Sequence, residues 1–103
     1  MARFAVRYSP QAEHDLQSAY DWGVENWGVQ EAAEWVEHFD LLILKRLSLM
    51  PTSCPPAPED PNFDFELRQL VIRRYRVLFR IVKNSVFILR IRGPFSGGMF
   101  EIE

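Results

Sequence analysis

Residues 74–92 read RYRVLFRIVKNSVFILRIR, and this stretch decides the fold. Two runs in which apolar residues alternate with other residues flank a short polar segment, and this pattern is typical of a β-hairpin with one apolar face. The positions that we expect on that face are Tyr75, Val77, Phe79 and Ile81 in the first run and Phe87, Leu89 and Ile91 in the second. We therefore predict strands over residues 74–82 and 86–92, joined by a turn at residues 83–85.

A three-residue loop at residues 83–85 also predicts how these two strands pair. A slip of one residue would move the apolar side chains of one strand to the opposite face, so the register is well determined. The predicted partners are Val82 with Val86, Arg80 with Ile88, Leu78 with Arg90 and Arg76 with Arg92.

In this register, arginines gather on the second face of the hairpin. The cluster consists of Arg74, Arg76, Arg90 and Arg92. Like charges directly opposite each other destabilise a sheet, so the cluster requires a neutralising group. An internal carboxylate such as Glu66 is one candidate, and an anionic ligand or acidic partner is the other. We favour a partner, because arginine suits planar, hydrogen-bonded recognition of carboxylates and phosphates.

Before the hairpin, the sequence predicts in order a first strand, two helices and one further strand. Residues 3–8 alternate as a strand, and Ser9-Pro10 is a typical start of a helix that Gly28 ends. Apolar residues at helical spacing predict a second helix over residues 30–50, stopped by Pro51. A proline-rich crossover at 51–62 leads to a strand at 65–72. The predicted fold is α+β, a single domain over 1–103 in which an N-terminal strand and an antiparallel helical hairpin precede a three-strand antiparallel meander.

The second helix has a main stripe of apolar residues that we expect to be buried, and two further sets of apolar residues lie outside this stripe. Trp35, Leu42 and Leu49 widen the stripe on one side, whereas Leu41 and Leu44 point well off it. The last two are either ordinary surface leucines or part of a groove for a partner helix.

The charge distribution is uneven, although the net charge of the 103 residues is only −2. Residues 11–40 hold eight acids and no base, and residues 67–92 hold eight bases and no acid. Either the two segments neutralise each other or the basic half binds an anionic partner. The single cysteine, Cys54, and the lack of a signal peptide or a membrane-spanning apolar run indicate a cytoplasmic protein.

The sequence contains no recognisable catalytic or metal-binding set. No glycine-rich phosphate loop opens a helix, and no zinc spacing occurs. His14 and His38 lie on different helices, and neither belongs to the basic strand region. The tail at 94–103 has no His, Tyr, Lys or Arg, and its apolar residues are expected to dock on the protein or on a neighbour. We expect no cofactor, no metal and no catalytic residues.

Three motifs in order resemble the RelE/ParE toxin superfamily. YSPQAEHDL at 8–16 is similar to its opening strand and helix, ELRQL at 66–70 to its "E-L-R" strand, and YRVLFRI at 75–81 to its "Y-R-V-L-Y" strand. ILRIR at 88–92 matches the last strand, so the resemblance covers nearly the whole chain. Many relatives end that strand in Arg-His, where this chain has Arg92 and Gly93.

This resemblance implies a toxin of a type II toxin–antitoxin module. One branch of the superfamily cleaves mRNA on ribosomes, and the ParE branch inhibits DNA gyrase. Since no residue is placed to transfer a proton in phosphodiester cleavage, we favour the ParE branch. The alternatives are a RelE-type mRNA endonuclease that uses Arg76 and Arg90 as phosphate clamps, and a non-toxic binding and co-repressor module.

The resemblance also implies partners and the residues that meet them. A ParD-like antitoxin is expected to neutralise the toxin, DNA gyrase to be the target, and operator DNA to be contacted only through the antitoxin. The antitoxin's helix is expected on the helical hairpin, and its acidic extension along the sheet. The residues assigned to this contact are Trp35, Leu41, Leu42, Leu44, Leu49, Arg68, Arg74, Arg76, Arg80, Arg90 and Arg92.

Overall fold

The computed structural model describes residues 3–93, so the predicted docking of the tail lies outside the described residues. The elements are β1 (Ala5–Tyr8), α1 (Pro10–Trp27), α2 (Val29–Leu49), β2 (Arg68–Ile72), β3 (Tyr75–Val82) and β4 (Ser85–Arg92). The predicted order of one strand, two helices and three strands is confirmed. The crossover between α2 and β2 contains only two short 3₁₀ turns, Pro51–Ser53 and Asp60–Asn62.

The four strands form one sheet in the order β1-β4-β3-β2. The meander of β2, β3 and β4 is antiparallel, and β1 pairs with β4 in parallel. Side chains alternate across the sheet, so Val77 and Phe79 face the helices while Leu78 faces the other side. The helices cover the first face with Ala12, Phe39, Ile43 and Leu47. The crossover covers the second face, where Ala57, Leu67 and Leu78 form a smaller core.

The residues that start α1 also fasten it to the sheet. The Ser9 hydroxyl accepts a hydrogen bond from the backbone N–H of Ala12 at 3.0 Å, and Pro10 occupies the first turn, as predicted. The same hydroxyl donates to the carbonyl of Leu89 at 3.0 Å, and the Ser9 N–H donates to the carbonyl of Ile88 at 2.9 Å. Gly28, at φ 100°, ends α1 as predicted.

The predicted register of the last hairpin is correct only in its half away from the turn. Arg76 pairs with Arg92 and Leu78 with Arg90, as expected. Nearer the turn, the loop has two residues instead of three, so Val82 pairs with Ser85, and Arg80 with Phe87 instead of Ile88. A bulge opposite Leu78 and Phe79 absorbs the difference.

The bulge also corrects the predicted apolar face of β4. Val86 and Ile88 are buried in the core beneath the helices, and Ile91 joins them beyond the bulge. Leu89 packs against the smaller core on the other face, and Phe87 is only half-buried. Phe87 and Leu89 were therefore wrongly expected beside Ile91, because one extra residue reverses the alternation of a strand.

The end of β4 depends on a glycine that packs against an aromatic ring. Gly93 is buried, and a Cβ at this position would lie 2.1 Å from Cε2 of Tyr75. We expect Gly93→Ala to lower the free energy of unfolding by about 1–3 kcal/mol, since the ring must move out of a packed site. Urea unfolding of the variant measures this. In a Tyr75→Leu background, Gly93→Ala should cost less than it does in the wild type, and an equal cost in both backgrounds would contradict a steric cause.

Candidate functional site

Arg76 is the second residue of β3 and lies on the sheet face that the crossover covers, where it is only 8% exposed. Its Nη2 donates to Oε1 of Glu59 at 2.6 Å, and its Nε donates to Oε1 of Gln69 at 3.0 Å. The hydrogen bond from Arg76 holds the pKa of the Glu59 carboxyl below its usual value. The crossover therefore supplies the counter-ion of this arginine.

Arg90 is neutralised by a carboxylate of the first helix. Its Nε and Nη2 donate to the two carboxylate oxygens of Asp15 at 2.9 and 3.1 Å. The same carboxylate accepts the backbone N–H of Ile91 at 2.8 Å. Asp15 thus holds both a side chain and the backbone of β4, which β1 leaves unpaired beyond Ile88.

These two ion pairs show that Arg76 and Arg90 need no anionic partner for their neutralisation. The internal-carboxylate alternative holds for Arg76 and Arg90, although the carboxylates are Glu59 and Asp15 instead of Glu66. Sequence reasoning missed both acids because one lies in an irregular segment and the other on a helix with many acids. The signal for Glu59 was its position in a crossover that otherwise consists mainly of prolines and small residues.

The other four predicted arginines each lie in different surroundings. Arg68 bonds the carbonyl of Cys54 at 2.6 Å and the exposed carboxylate of Glu66 at 3.0 Å. Arg80 stacks its guanidinium 4.2 Å from the ring centre of Phe65. Arg92 is half-buried opposite Arg76, and Arg74 is exposed in the β2–β3 turn at φ 71°. The structure thus does not bring the arginines together as one open basic face.

The pairing of Glu59 with Arg76 predicts that the free energy of unfolding depends on pH. The folded-state pKa of Glu59 is depressed, so its contribution to stability is present above the unfolded-state pKa and is lost as the pH falls through the folded value. We expect the stability difference between wild type and Glu59→Gln to shrink as the pH is lowered from 7 to 3. Urea unfolding of both proteins at several pH values measures it. A difference that is constant with pH would show that ionised Glu59 contributes nothing.

A groove lies between α2 and the outer edge of the sheet at β2. It encloses about 460 Å³, and we call it the basic groove, because Lys45 and Arg46 are its only charged residues. The complete lining is Leu42, Lys45, Arg46, Leu49, Met50, Leu70, Val71 and Ile72. Leu49, Met50 and Val71 are 45%, 58% and 56% exposed, so the groove presents apolar surface to solvent.

The sheet edge beside this groove is unpaired at its far end. The crossover covers the start of the edge, where Ala57 bonds the carbonyl of Leu67 and Gln69 bonds the carbonyl of Pro55. Backbone groups of alternate residues point to the same edge, so the N–H and C=O of Val71 also point outward. No backbone bond from the described residues reaches them. This edge is open to strand addition.

The structure separates the apolar residues that were predicted as partner contacts. Leu42 and Leu49 come together in the basic groove. Trp35 is half-buried and packs against the main core, stacked on Phe39 with ring centres 5.0 Å apart. Leu41 is 58% exposed, and neither it nor Leu44 lines the basic groove.

The described residues offer neither a metal site nor a membrane-spanning helix, and their single cysteine is buried. Residues 3–93 hold no cluster of His, Cys, Asp or Glu that could bind a metal ion. Neither helix in this range is long and apolar enough to cross a membrane. Cys54 is buried, and burial raises the pKa of its thiol, so it is a poor nucleophile.

Comparison with known proteins agrees with this architecture. A family model described as the ParE toxin of the type II toxin–antitoxin system parDE matches residues 6–93. The chain belongs to the ParE toxin family. The resemblance drawn from the sequence motifs is therefore confirmed, and this ParE-family protein is a toxin of a type II toxin–antitoxin system.

Two solved structures share the fold of this ParE-family toxin. One is a chromosomal ParDE toxin–antitoxin system from P. aeruginosa, with a TM-score of 0.70, 22% identity, and coverage of 85% of this chain and 92% of that chain. The other is the RelBE2 toxin–antitoxin complex from Mycobacterium tuberculosis, with a TM-score of 0.62, 22% identity, and coverage of 93% and 97%. A search of curated protein sequences gives no significant match.

Proposed function

We propose that this ParE-family toxin inhibits DNA gyrase in the cytoplasm and is neutralised by a ParD-like antitoxin. Operator DNA is contacted only through the antitoxin, and such a module would stabilise a plasmid that carries it. The family match and the fold of the ParDE neighbour support the ParE branch.

The observation that carries the choice against mRNA cleavage is the internal pairing of Arg76 and Arg90. A phosphate clamp must present its guanidinium to the substrate, whereas these two side chains donate to Glu59 and Asp15. The crossover also covers the sheet face on which Arg76 lies. The endonuclease alternative therefore requires both ion pairs to break before any RNA binds.

The antitoxin is proposed to occupy the basic groove and the open edge of β2. An extended segment added along Val71 would gain backbone hydrogen bonds, and its apolar side chains would meet Leu42 and Leu49. Lys45, Arg46 and the exposed Arg74 favour acidic residues on that segment. Of the residues first assigned to the antitoxin, Arg76 and Arg90 stabilise the fold, and the contact is proposed at Leu42, Leu49 and Arg74.

The deciding experiment is gyrase supercoiling of relaxed plasmid with purified toxin, with trapped cleaved DNA followed in parallel. We expect inhibition near stoichiometric toxin and recovery when the antitoxin is added. Unaffected gyrase together with ribosome-dependent mRNA cleavage would support the RelE-type alternative. Absence of growth arrest when the toxin is expressed without antitoxin would support the non-toxic co-repressor module.

A further inference from the structure

Most acidic side chains of the helical hairpin take part in no salt bridge among the residues that the structure describes. Of the eight acids in residues 11–40, only Asp15 is in an ion pair among the residues that the structure describes. The remaining seven are Glu13, Asp21, Glu25, Glu31, Glu34, Glu37 and Asp40. Asp15–Arg90 is the one salt bridge among the described residues that joins the two oppositely charged segments, so they neutralise each other only in part.

A concave apolar site lies among some of these acids, between α1 and α2. It encloses about 510 Å³, and we call it the acidic groove. Its apolar surface comes from half-buried residues of β1 and both helices, namely Tyr8, Leu16, Tyr20 and Val36. Its charged residues are Glu13, Glu37 and Asp40, and its lining has no Lys or Arg.

One hydrogen bond fixes the inner part of the acidic groove. The Tyr8 hydroxyl donates to the Asp40 carboxylate, which connects β1 to α2. Burial, together with this carboxylate, raises the pKa of Tyr8, so the phenol stays protonated and keeps donating. Asp40 is thereby held in place beside the apolar surface, while Glu13 and Glu37 at the rim are exposed.

The acidic groove and the basic groove lie on opposite faces of α2. At 3.6 residues per turn, Val36 and Asp40 of the acidic groove lie about half a turn around the helix axis from Leu42 and Leu49 of the basic groove. An acidic antitoxin segment that fits the basic groove would be repelled by Glu13 and Glu37. Both grooves can therefore be occupied at once by partners of opposite charge.

We propose that the acidic groove binds a basic amphipathic helix of a second protein, different from the antitoxin. The apolar side of such a helix would cover Leu16 and Val36, and its lysines or arginines would pair with Glu13 and Glu37. A helix fits because the groove runs between two packed helices, where the side chains of a third helix can interdigitate. The exclusion of the antitoxin rests on the proposed function, whereas the groove and its charge do not.

The test uses a fluorescently labelled 18-residue peptide of leucine and lysine patterned as an amphipathic helix, with binding measured by anisotropy. We expect the double variant Glu13→Lys, Glu37→Lys to weaken binding at least tenfold. The matched control is Glu25→Lys, Glu31→Lys, which makes the same change in net charge at the tip of the hairpin, outside the groove. We expect it to change affinity less than threefold. Equal weakening by both double variants would overturn the proposal, because the peptide would then respond to net charge alone.

A second measurement separates the two partners. The same peptide is titrated into the preformed toxin–antitoxin complex, and we expect its dissociation constant to stay within threefold of that for free toxin. Displacement of the peptide by the antitoxin would assign the groove to the antitoxin and overturn the proposal. Gyrase takes no part in either titration, so a failure of the gyrase proposal remains distinguishable.

Discussion

Replacing Arg76 with methionine is expected to lower the free energy of unfolding by about 3–5 kcal/mol, which is the usual cost of leaving one partner of a buried ion pair alone. The side chains of Arg76 and Glu59 are 9% and 17% exposed, so solvent screens their attraction little. Methionine keeps much of the aliphatic length, so the loss reports the charge and its hydrogen bonds. Domains of this size have total stabilities of about 5–15 kcal/mol, so the variant should unfold at a much lower urea concentration.

A matched pair of glutamates tests whether burial is the cause. Glu59→Gln and Glu66→Gln make the same chemical change, but the side chain of Glu66 is 59% exposed in its pair with Arg68. We expect Glu66→Gln to cost less than about 1 kcal/mol and Glu59→Gln to cost clearly more. A double-mutant cycle between Glu59→Gln and Arg76→Met should give a coupling energy of about 1–3 kcal/mol. Equal costs for the two glutamine variants would refute the structural role of the Glu59–Arg76 pair.

This prediction changes how variants of Arg76 are interpreted. The substitution Arg76→Glu would place a second carboxylate against Glu59 and destabilise the fold. Loss of antitoxin binding by this variant could then result from unfolding and not from the loss of a direct contact with the antitoxin. Arg76 is thus unsuitable as a probe of the antitoxin surface until its effect on stability has been measured. Groove residues on the opposite face of the sheet provide cleaner probes.

The elements of the fold were predictable because local chemistry determines them. Ser9-Pro10 and Gly28 set the ends of α1. The Ser9 hydroxyl accepts from the N–H of Ala12, and the backbone N–H of Gly28 donates to the carbonyl of Val24. The alternation in β3 places Tyr75, Val77 and Phe79 against the helices, as the pattern indicated. The predicted start and end of α2 each differ from the observed ones by one residue.

The register near the last turn was not predictable, because two local changes cancel each other. A two-residue turn shifts the pairing by one position, and the bulge opposite Leu78 and Phe79 shifts it back. The pattern of apolar residues in β4 is compatible with both arrangements. What selects the bulge is tertiary: the N–H of Ser9 bonds the carbonyl of Ile88, and its hydroxyl bonds that of Leu89.

The apolar residues of the candidate site were predictable from the sequence, whereas the ion-pair partners of its arginines were not. Leu42 and Leu49 were identified from helical spacing, which is a local property. The counter-ions of Arg76 and Arg90 lie 17 and 75 residues away along the chain, so only the folded crossover and α1 bring them into contact. The charge count detected the asymmetry between the two halves, but it could not identify which acids form ion pairs with the arginines.

Leu49→Asp is expected to weaken antitoxin binding about 30-fold to 1000-fold, a loss of about 2–4 kcal/mol at the centre of an interface. Leu49 is 45% exposed in the free toxin, so the change should leave the fold intact while it puts a carboxylate into the basic groove. An acidic, apolar antitoxin segment would then lose its apolar contact and meet a like charge. Isothermal titration calorimetry of purified toxin with antitoxin measures the change in the dissociation constant, and circular dichroism checks that the variant is folded.

Leu41→Asp is the matched control, since it makes the same substitution on the same helix at a leucine that is 58% exposed and lies outside the basic groove. We expect it to change antitoxin affinity less than threefold. The two variants decide between the two apolar surfaces that the helical spacing left open, one at Leu42 and Leu49 and the other at Leu41 and Leu44. A strong loss in Leu41→Asp with little change in Leu49→Asp would move the antitoxin contact to the second surface, leaving the basic groove and the open edge of β2 without a partner.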